Sequence, residues 1–244
     1  MTPLLALEGV CLSHWRGEHE TIVLADVCLD IHAGELVAVW GQRGAGKTTL
    51  ALVAAGLQAP EKGSVWFESR DLGAFARGRA ARLHEGIGWV QRAGPQSEDF
   101  HNVLDYVALP LLGRHSPRAA RRHARSMLKR LEVSGCAGER WANLTDGERT
   151  LVALAHALVR EPRLLVADDP TANLDVLQRE EVTRLLRRAA DEQGLGVLIT
   201  VPDMPEVAHA GRIGSLSEGR LTLAREPSGS GADVIELPRR QRSA

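Results

Sequence analysis

The chain has 244 residues, with 30 lysines and arginines against 31 aspartates and glutamates, so its formal net charge is −1. This balance excludes a global basic field, and we expect no nucleic-acid partner. No apolar run approaches the ~20 residues that a membrane-spanning helix needs, and the N-terminal residues lack the basic flank of a signal peptide. We therefore expect a soluble chain that reaches a membrane only through a partner.

The three cysteines, Cys11, Cys28 and Cys136, lie far apart and lack CxxC spacing. Their odd number and their spacing predict neither a disulfide framework nor a zinc site. Free thiols in a reducing cytosol are the simplest interpretation.

The first part of the chain is predicted to form strands. Residues 4–12 and 21–31 mix apolar and polar positions with β-branched residues, which is typical of antiparallel strands joined by a polar loop around Gly17. Residues 36–40 form a short continuous apolar run, typical of a strand buried on both faces of a parallel sheet. Further elements are predicted in the order helix 48–57, strand 63–67 and strand 87–91.

The remainder of the chain alternates helices and strands. We predict a helical region at 103–131 with a break at 113–117, a helix from 148 to about 159, a strand at 164–167, a helix at 177–190 and a strand at 196–201. This alternation predicts an α/β fold with a mostly parallel sheet flanked by helices. We expect one domain over residues 1–224, with a helical subdomain inserted at about 93–160. The tail, residues 225–244, is rich in Pro, Gly, Ser and Arg, and we expect it to be disordered.

One predicted helix is strongly basic. Residues 115–133 place arginines on one side, and helical spacing groups apolar side chains on the other. The predicted buried positions are Ala119, Ala124, Met127, Leu128 and Leu131. A nucleic-acid patch and a solvated helix face both fit this pattern, and the overall charge balance favours the solvated face.

A phosphate-binding loop is predicted at GQRGAGKT, residues 41–48, which fits G-x-x-x-x-G-K-[ST] between a buried strand and a helix. Glycines let backbone N–H groups surround a phosphate chain, and the helix N-terminus adds partial positive charge. Lys47 would pair with the β- and γ-phosphates, and Thr48 would ligate Mg²⁺. A glycine-rich turn that happens to contain a lysine is the alternative. The predicted nucleotide-binding residues here are Gly41, Gln42, Arg43, Gly44, Ala45, Gly46, Lys47, Thr48 and Thr49.

The second half of this site is predicted at VADDPTANLD, residues 166–175. The apolar strand ends in Asp168, and P-loop NTPases hold magnesium through a carboxylate at such a strand end, directly or through water. A strand that ends in aspartate is common, but this one follows a phosphate-binding loop in the expected order. The two halves together predict binding of a magnesium nucleotide.

The stretch NLTDGERTLVALAHALVREPRLLVADDPTANLD, residues 143–175, resembles a specific segment of ABC-type ATPases. In that family it joins the signature motif, usually LSGGQ or LSGGE, to the Walker B strand and the D-loop. The resemblance extends from residue 4 to about 223. It places the D-loop aspartate on Asp175, and it places on Trp15 the aromatic ring that stacks on adenine, with a partly buried loop tryptophan as the alternative. The signature positions are Leu144, Thr145, Asp146, Gly147 and Glu148.

The resemblance implies a P-loop NTPase of ABC type, with an N-terminal antiparallel β subdomain and a helical signature subdomain. It implies ATP and Mg²⁺ as cofactors, and a second ATP-binding subunit that pairs head to tail around ATP. It also implies transmembrane permease subunits as partners and a cytoplasmic position at the inner face of the cell membrane. The phrases VALPLL (107–112) and TANLD (171–175) are most similar to the branch that serves lipoprotein release, macrolide and peptide export, and cell division.

The sequence departs from the family pattern at three positions that serve hydrolysis. Asp169 stands where the family has a glutamate as general base, and its shorter side chain withdraws the carboxylate by about 1 Å. Pro202 occupies the switch-histidine position and offers no donor, not even a backbone N–H. His209 could replace it only from a different loop geometry, and a surface histidine is the alternative. Asp146 replaces a glycine and adds like charge near the opposing γ-phosphate, so we expect this half to bind weakly.

Gln91 is the candidate Q-loop residue, which would contact the metal and the transmembrane subunit and take part in catalysis. The predicted strand reaches it one residue earlier than the family pattern would. An ordinary glutamine at a strand end is therefore an equal alternative.

Two classes of function remain from the sequence. The first is an ATP-binding, slowly hydrolysing subunit of an ABC transporter, in a homodimer or heterodimer, in which Asp168 binds metal and Asp169 is a weakened base. The second is a nucleotide-gated regulatory or scaffold module with negligible hydrolysis. A soluble ABC-type DNA-repair ATPase is disfavoured, because the sequence has neither a coiled-coil insertion nor an evident basic DNA surface.

Overall fold

The computed structural model describes residues 2–73, 86–91, 100–202 and 209–225. The strands, in chain order, are β1 (Leu5–Arg16), β2 (His19–Ile31), β3 (Leu36–Trp40), β4 (Lys62–Phe67), β5 (Arg70–Asp71), β6 (Ile87–Val90), β7 (Leu164–Asp168), β8 (Gly196–Val201), β9 (Arg212–Ser217) and β10 (Arg220–Arg225). The α-helices are α1 (Lys47–Ala54), α2 (Val103–Ala108), α3 (Pro117–Arg130), α4 (Asp146–Leu158) and α5 (Val176–Gln193).

A six-stranded sheet has the order β10–β9–β3–β8–β7–β6, and all its neighbours are parallel except β9 and β10. Strands β7 and β8 are buried along their whole length, as expected for parallel strands covered on both faces. The register pairs Trp40 with Val201 and Asp168 with Thr200. Strands β3, β7 and β8 therefore end at the same edge of the sheet, and the candidate site lies there.

A four-stranded antiparallel sheet has the order β2–β1–β4–β5. Strands β1 and β2 form a hairpin whose turn contains Gly17 at φ +61°, a left-handed conformation that glycine adopts at little cost. The hairpin register places His14 opposite Thr21 and Trp15 opposite Glu20. Strand β2 contacts α1, so the hairpin lies beside the first helix of the chain.

Two apolar cores cover the two faces of the main sheet. One joins the antiparallel sheet to α1 and includes Leu5, Val37 and Leu50. The other packs the four helices α2, α3, α4 and α5 against the opposite face of the sheet and includes Ala124 and Leu154. Among the described residues, no helix combines the length and the apolar character that crossing a lipid bilayer requires.

Capping residues explain where the longer helices begin. Ser116 caps α3 by accepting the Ala119 N–H, and Pro117 occupies the first turn, where its missing N–H is not needed. Asp175 caps α5 by accepting the Gln178 N–H. Each of these helices therefore begins at the residue that directly follows its capping side chain.

The predicted fold class is confirmed, namely an α/β fold with a mostly parallel sheet, flanking helices and an N-terminal antiparallel sheet. Strands β3 and β8 have the predicted bounds of 36–40 and 196–201. Three strands, β5, β9 and β10, were not predicted, and β1 and β2 extend through polar residues to their shared turn. In α3, Ala120 is fully buried and Ala119 only partly, so the apolar face is rotated slightly from the predicted one.

Two predictions concern residues outside the described ranges. The helical insertion was predicted to begin at about residue 93, within 92–99. The tail was predicted at 225–244, of which Arg225 ends β10.

Candidate nucleotide-binding site

The loop between β3 and α1 needs glycine at two positions. Gly46 has φ +100°, and a Cβ there would lie 2.7 Å from the carbonyl oxygen of Val23. A Cβ at Gly41 would collide with the carbonyl of Leu216 on β9. No described side chain caps α1, so the N–H groups of its first turn point out of the helix without an intrahelical acceptor. Such a helix start favours an anion.

Lys47 lies over the inside of this loop. Its Nζ donates to the carbonyl oxygens of Gly41 at 2.5 Å and of Gln42 at 3.1 Å. The Ala45 N–H donates to Gln42 O at 3.1 Å, which closes the turn. The ammonium group is thus held where a phosphate on the loop would meet it.

A cleft of about 470 Å³ opens above the loop. Its lining comes from three parts of the chain, namely the β1–β2 hairpin, the glycine-rich loop with the start of α1, and the end of β7. The lining residues are His14, Thr21, Val23, Arg43, Gly44, Gly46, Lys47, Thr48, Thr49, Asp168 and Asp169. Eight of the residues predicted from the sequence therefore meet at one cleft, while Gly41, Gln42 and Ala45 shape the loop without lining it.

Asp168 connects the two halves of the predicted site. The Thr48 hydroxyl donates to Asp168 Oδ2 at 2.9 Å, and the Thr200 hydroxyl donates to Asp168 Oδ1 at 2.8 Å. Asp168 is 4% exposed, so its oxygens are satisfied by two hydroxyl bonds rather than by bulk water. A hydroxyl and a carboxylate oxygen at this separation are hard ligands of the kind that Mg²⁺ prefers, and the residues present fit that metal.

Asp169 follows at the end of β7 in a left-handed conformation with φ +50°. Its N–H donates to the carbonyl oxygen of Thr200 at 3.1 Å and to the Thr200 hydroxyl at 3.0 Å. These two bonds hold a backbone conformation that aspartate tolerates better than most residues. Asp169 lines the 470 Å³ cleft and also a second, smaller cleft.

The second cleft, of about 210 Å³, lies between α4, the end of β6 and the segment that follows β7. Gln91, Asp146 and Asp169 all line it, so the predicted Q-loop residue, a signature residue and the predicted base share one space. Gln91 does not line the cleft above the glycine-rich loop.

The signature segment begins α4. Thr145 is the N-cap, its hydroxyl accepts the Glu148 N–H at 3.3 Å, and Glu148 Oε2 in return accepts the Thr145 N–H at 2.8 Å. The Cys136 thiol donates to the other oxygen, Glu148 Oε1, at 3.0 Å. These bonds, first that of Cys136 and then those of Thr145, lower the pKa of Glu148. Burial, followed by the neighbouring carboxylate, raises the pKa of Cys136 to about 11.

The remaining signature residues differ in exposure. Leu144 is buried in the helical core, whereas Thr145 and Asp146 are exposed. A Cβ at Gly147 would lie 3.0 Å from Nε2 of Gln178. The Gln178 side chain also accepts the N–H of Asp175, the N-cap of α5, so the start of α4 lies close to the predicted D-loop residue within this chain.

Trp15 was predicted to stack on adenine, but it does not face the cleft. Its side chain is 62% exposed, and the preceding residue, His14, lines the cleft together with its cross-strand partner Thr21. Alternate residues of a strand point to opposite faces. Because β1 continues as a strand to residue 16, the side chain that reaches the cleft is His14 rather than Trp15.

Pro202 directly follows β8 and does not line either cleft. His209, the considered substitute for a switch histidine, follows residues 203–208, which lie outside the described ranges.

The sequence prediction missed several residues of the site, among them His14, Arg149 and Thr200. Arg149 lines the second cleft beside Asp146, and Thr200 bonds to both aspartates. A hydroxyl inside the apolar run GVLITV was the available signal for Thr200, since a buried hydroxyl requires a partner.

Comparison with known proteins identifies the family. The ABC transporter family matches residues 24–172, which is more than half of the 244-residue chain. Among solved structures, the dimeric bacterial ABC transporter cassette MJ0796 is similar at 26% identity and a TM-score of 0.81, over 92% of this chain and 100% of that one. A post-hydrolysis state of MJ0796 bound to ADP and Pi is similar at 26% identity and a TM-score of 0.82, with the same coverage.

A third structure, cbiO1 from Clostridium perfringens, is part of the ABC transporter complex cbiONQ. It is 25% identical with a TM-score of 0.76, over 92% of this chain and 89% of that one. The matched range contains both the glycine-rich loop and the end of β7 with its two aspartates. The chain therefore belongs to the ABC transporter family, as an ATP-binding cassette of α/β P-loop fold.

Proposed function

We propose that the chain is the ATP-binding subunit of an ABC transporter complex, and that it hydrolyses ATP slowly. The observation that carries this proposal is the 2.9 Å bond between Thr48 and Asp168, at the floor of the cleft above the glycine-rich loop. It joins residues 120 positions apart in sequence into one oxygen-rich centre beside an uncapped helix start. A magnesium nucleotide requires this combination.

The triphosphate lies on residues 41–49 in this proposal. Backbone N–H groups of the loop and of the first turn of α1 donate to phosphate oxygens, and the helix N-terminus adds favourable partial charge. Lys47 exchanges its two loop carbonyls for the β- and γ-phosphates. Adenine reaches toward the β1–β2 hairpin, where His14 faces the cleft.

Thr48 and Asp168 would hold Mg²⁺, with Gln91 as the proposed further ligand. When bound, the metal neutralises the phosphate oxygens and orients them. The Thr48 hydroxyl donates its proton to Asp168, so its lone pairs are available to a metal, and Asp168 keeps one oxygen on Thr200 while it presents the other.

Asp169 acts as the base that accepts a proton from the attacking water. Its position is fixed through its backbone N–H, but its side chain is one methylene shorter than glutamate, and catalysis is sensitive to displacements of about 1 Å. Pro202 provides no hydrogen-bond donor for the γ-phosphate. Both features support slow turnover.

Residues Leu144 to Glu148 serve the opposing site in a head-to-tail dimer, and Asp175 lies at the dimer contact. Thr145 is exposed at the start of α4, which supports this role, and the similar cassette MJ0796 was solved as a dimer. The second subunit is another copy of this chain or a related ATP-binding subunit. A heterodimer would pair this weakened site with a more active one.

Permease subunits are the membrane partners in this proposal, and they hold the chain at the cytoplasmic face of the membrane. The similarity to cbiO1, which is part of a transporter complex, supports this assignment. The phrases at 107–112 and 171–175 favour the lipoprotein-release, macrolide-export and cell-division branch. In this proposal the cassette comprises residues 1–224, with the helical subdomain at about 93–160.

Equilibrium binding of ATP and single-turnover hydrolysis with Mg²⁺ test the function together. We expect binding, slow hydrolysis, and loss of both in Lys47→Ala, whereas Lys62→Ala, an exposed lysine on β4, leaves both unchanged. Tight binding retained by Lys47→Ala would contradict the phosphate-binding role. Binding without hydrolysis would instead support a nucleotide-gated module that acts on its partners without turnover.

A further inference from the structure

Thr200 is a hydroxyl residue in the centre of the main sheet. It is 0% exposed and lies in β8, where all six residues are buried and the other side chains are apolar or glycine. A hydroxyl transferred to such surroundings without a partner costs about 1–3 kcal/mol in proteins. The bonds that Thr200 makes therefore decide whether it is tolerated there.

The hydroxyl of Thr200 connects the two adjacent aspartates. It donates to Asp168 Oδ1 at 2.8 Å and accepts the N–H of Asp169 at 3.0 Å. The register of the parallel strands makes this possible, since Asp168 on β7 lies directly beside Thr200 on β8. One hydroxyl thus contacts both the proposed metal ligand and the backbone of the proposed base.

These bonds restrict the orientation of the Asp168 carboxylate. With Oδ1 on Thr200, the other oxygen points to the Thr48 hydroxyl at 2.9 Å. A valine at position 200 has nearly the same shape but no hydroxyl, so it would leave Oδ1 buried without this donor. The carboxylate could then rotate and present its oxygens differently to the cleft.

We propose that Thr200 is a positioning residue that fixes the carboxylate of Asp168 for the magnesium nucleotide and the backbone of Asp169 for the attacking water. This inference rests on the proposed function of the cleft. Outer partners of metal-binding carboxylates commonly affect metal affinity by about 10–100-fold. Thr200 does so here through a single hydroxyl supplied by the neighbouring strand.

The test compares Thr200→Val, which lacks the hydroxyl, with Thr200→Ser, which keeps it. Thr183→Val is the matched control, because Thr183 is also buried but donates to the Arg179 carbonyl on α5, away from the site. ATP binding is titrated at increasing Mg²⁺ concentrations and repeated in EDTA. We expect Thr200→Val to raise by about tenfold the Mg²⁺ concentration at which the enhancement of ATP binding is half-maximal. Its affinity for ATP in EDTA should be unchanged. The Ser variant and the Thr183→Val control should match the original chain.

An unchanged Mg²⁺ dependence in Thr200→Val would overturn the proposal, because Thr200 would then only fill its place in β8. If Thr200→Val does not fold, as judged by circular dichroism, Thr200→Ala supplies the same readout with a smaller side chain. Failure of the original chain to bind ATP at any Mg²⁺ concentration would contradict the proposed function itself, and so would be distinguished from failure of the Thr200 inference.

Discussion

Arg149 Nη1 lies 3.3 Å from Asp146 Oδ1 in the first turn of α4. The guanidinium is also bonded to the carbonyl oxygens of Trp141 and Ala142, at 3.5 Å and 3.2 Å. The carboxylate that replaces a signature glycine therefore has a cation beside it. In the proposed head-to-tail dimer, this cation would reduce the repulsion that Asp146 is predicted to exert on the opposing γ-phosphate.

Removal of that cation should weaken ATP-dependent dimerisation. We expect Arg149→Ala to raise the dissociation constant of the ATP-bound dimer three- to tenfold, or about 0.7–1.4 kcal/mol. Asp146→Asn combined with Arg149→Ala should restore dimerisation, because the uncompensated charge is then absent. Sedimentation velocity in an Asp169→Asn background, where ATP persists during the run, provides the measurement. Equal dimerisation by the single and double variants would show that the Asp146 charge is not the cause.

His14, rather than Trp15, should contribute to recognition of the base. Stacking of an aromatic ring on a base contributes about 1–3 kcal/mol, so His14→Ala should weaken ATP binding by about fivefold or more. Binding of inorganic triphosphate, which has no base to stack, should be unchanged. Trp15→Ala is the matched control, since its side chain points away from the cleft, and it should bind ATP normally. A loss of ATP affinity in Trp15→Ala alone would restore the original prediction from the sequence.

His156 should make the stability of the chain depend on pH. Its ring stacks on Tyr106 with centroids 4.2 Å apart, and Nδ1 donates to the Tyr106 carbonyl oxygen at 2.9 Å. Burial lowers the pKa of His156 below its ordinary value of 6.5, against the weaker opposite effect of that bond. The unfolded chain therefore takes up a proton below about pH 6.5 that the folded chain resists. The free energy of unfolding should fall as pH decreases through this range.

Urea unfolding at pH 7.5 and pH 5.5 measures this effect. One such histidine accounts for at most about 1.4 kcal/mol per pH unit. His156→Phe keeps the ring stacking and removes the proton site, so the difference between the two pH values should become smaller. His19→Phe, at an exposed position on β2, should keep the original difference. An equal pH dependence in His156→Phe would show that other groups produce it.

The parts of the fold that the sequence predicts well are those governed by local patterns. The apolar runs of β3 and β8 lie between polar or glycine-containing segments, and their bounds are predicted without error. The glycine-rich loop is equally local, because its residues are consecutive. Strands β9 and β10 are not evident in the same way, since they mix apolar with polar positions, and the pairing of β9 with β3 depends on tertiary neighbours.

Residues brought together by strand register were the ones that the sequence did not predict. The choice between His14 and Trp15 depends on where β1 ends, because an error of one residue reverses the direction of the side chain. Thr200 contacts Asp168 only because β7 and β8 are neighbours in a specific register. Likewise, the cation beside Asp146 is found once α4 is known to begin at that residue. Contacts of this kind require the assembled sheet and helices.

The last prediction concerns the slow turnover that the proposed function includes. Asp169→Glu returns the missing methylene to the base. Pro202→His places a hydrogen-bond donor directly after β8, which neighbours β7, and Asp169 directly follows β7. Positioned acid–base groups contribute about 10²–10⁴-fold to rates. We therefore expect the double variant to accelerate single-turnover hydrolysis by at least about tenfold, since a correctly placed group supplies part of that range.

Matched variants separate the two contributions. Pro202→Ala removes the ring without adding a side-chain donor, so Asp169→Glu with Pro202→Ala should be slower than Asp169→Glu with Pro202→His. An unchanged hydrolysis rate in the double variant would have two explanations: these positions are wrongly assigned, or the signature segment limits the rate. Adding Asp146→Gly to the double variant decides between them. If the signature segment limits the rate, the triple variant should hydrolyse ATP faster than Asp146→Gly alone. If residues 169 and 202 are wrongly assigned, the two variants should hydrolyse ATP at the same rate.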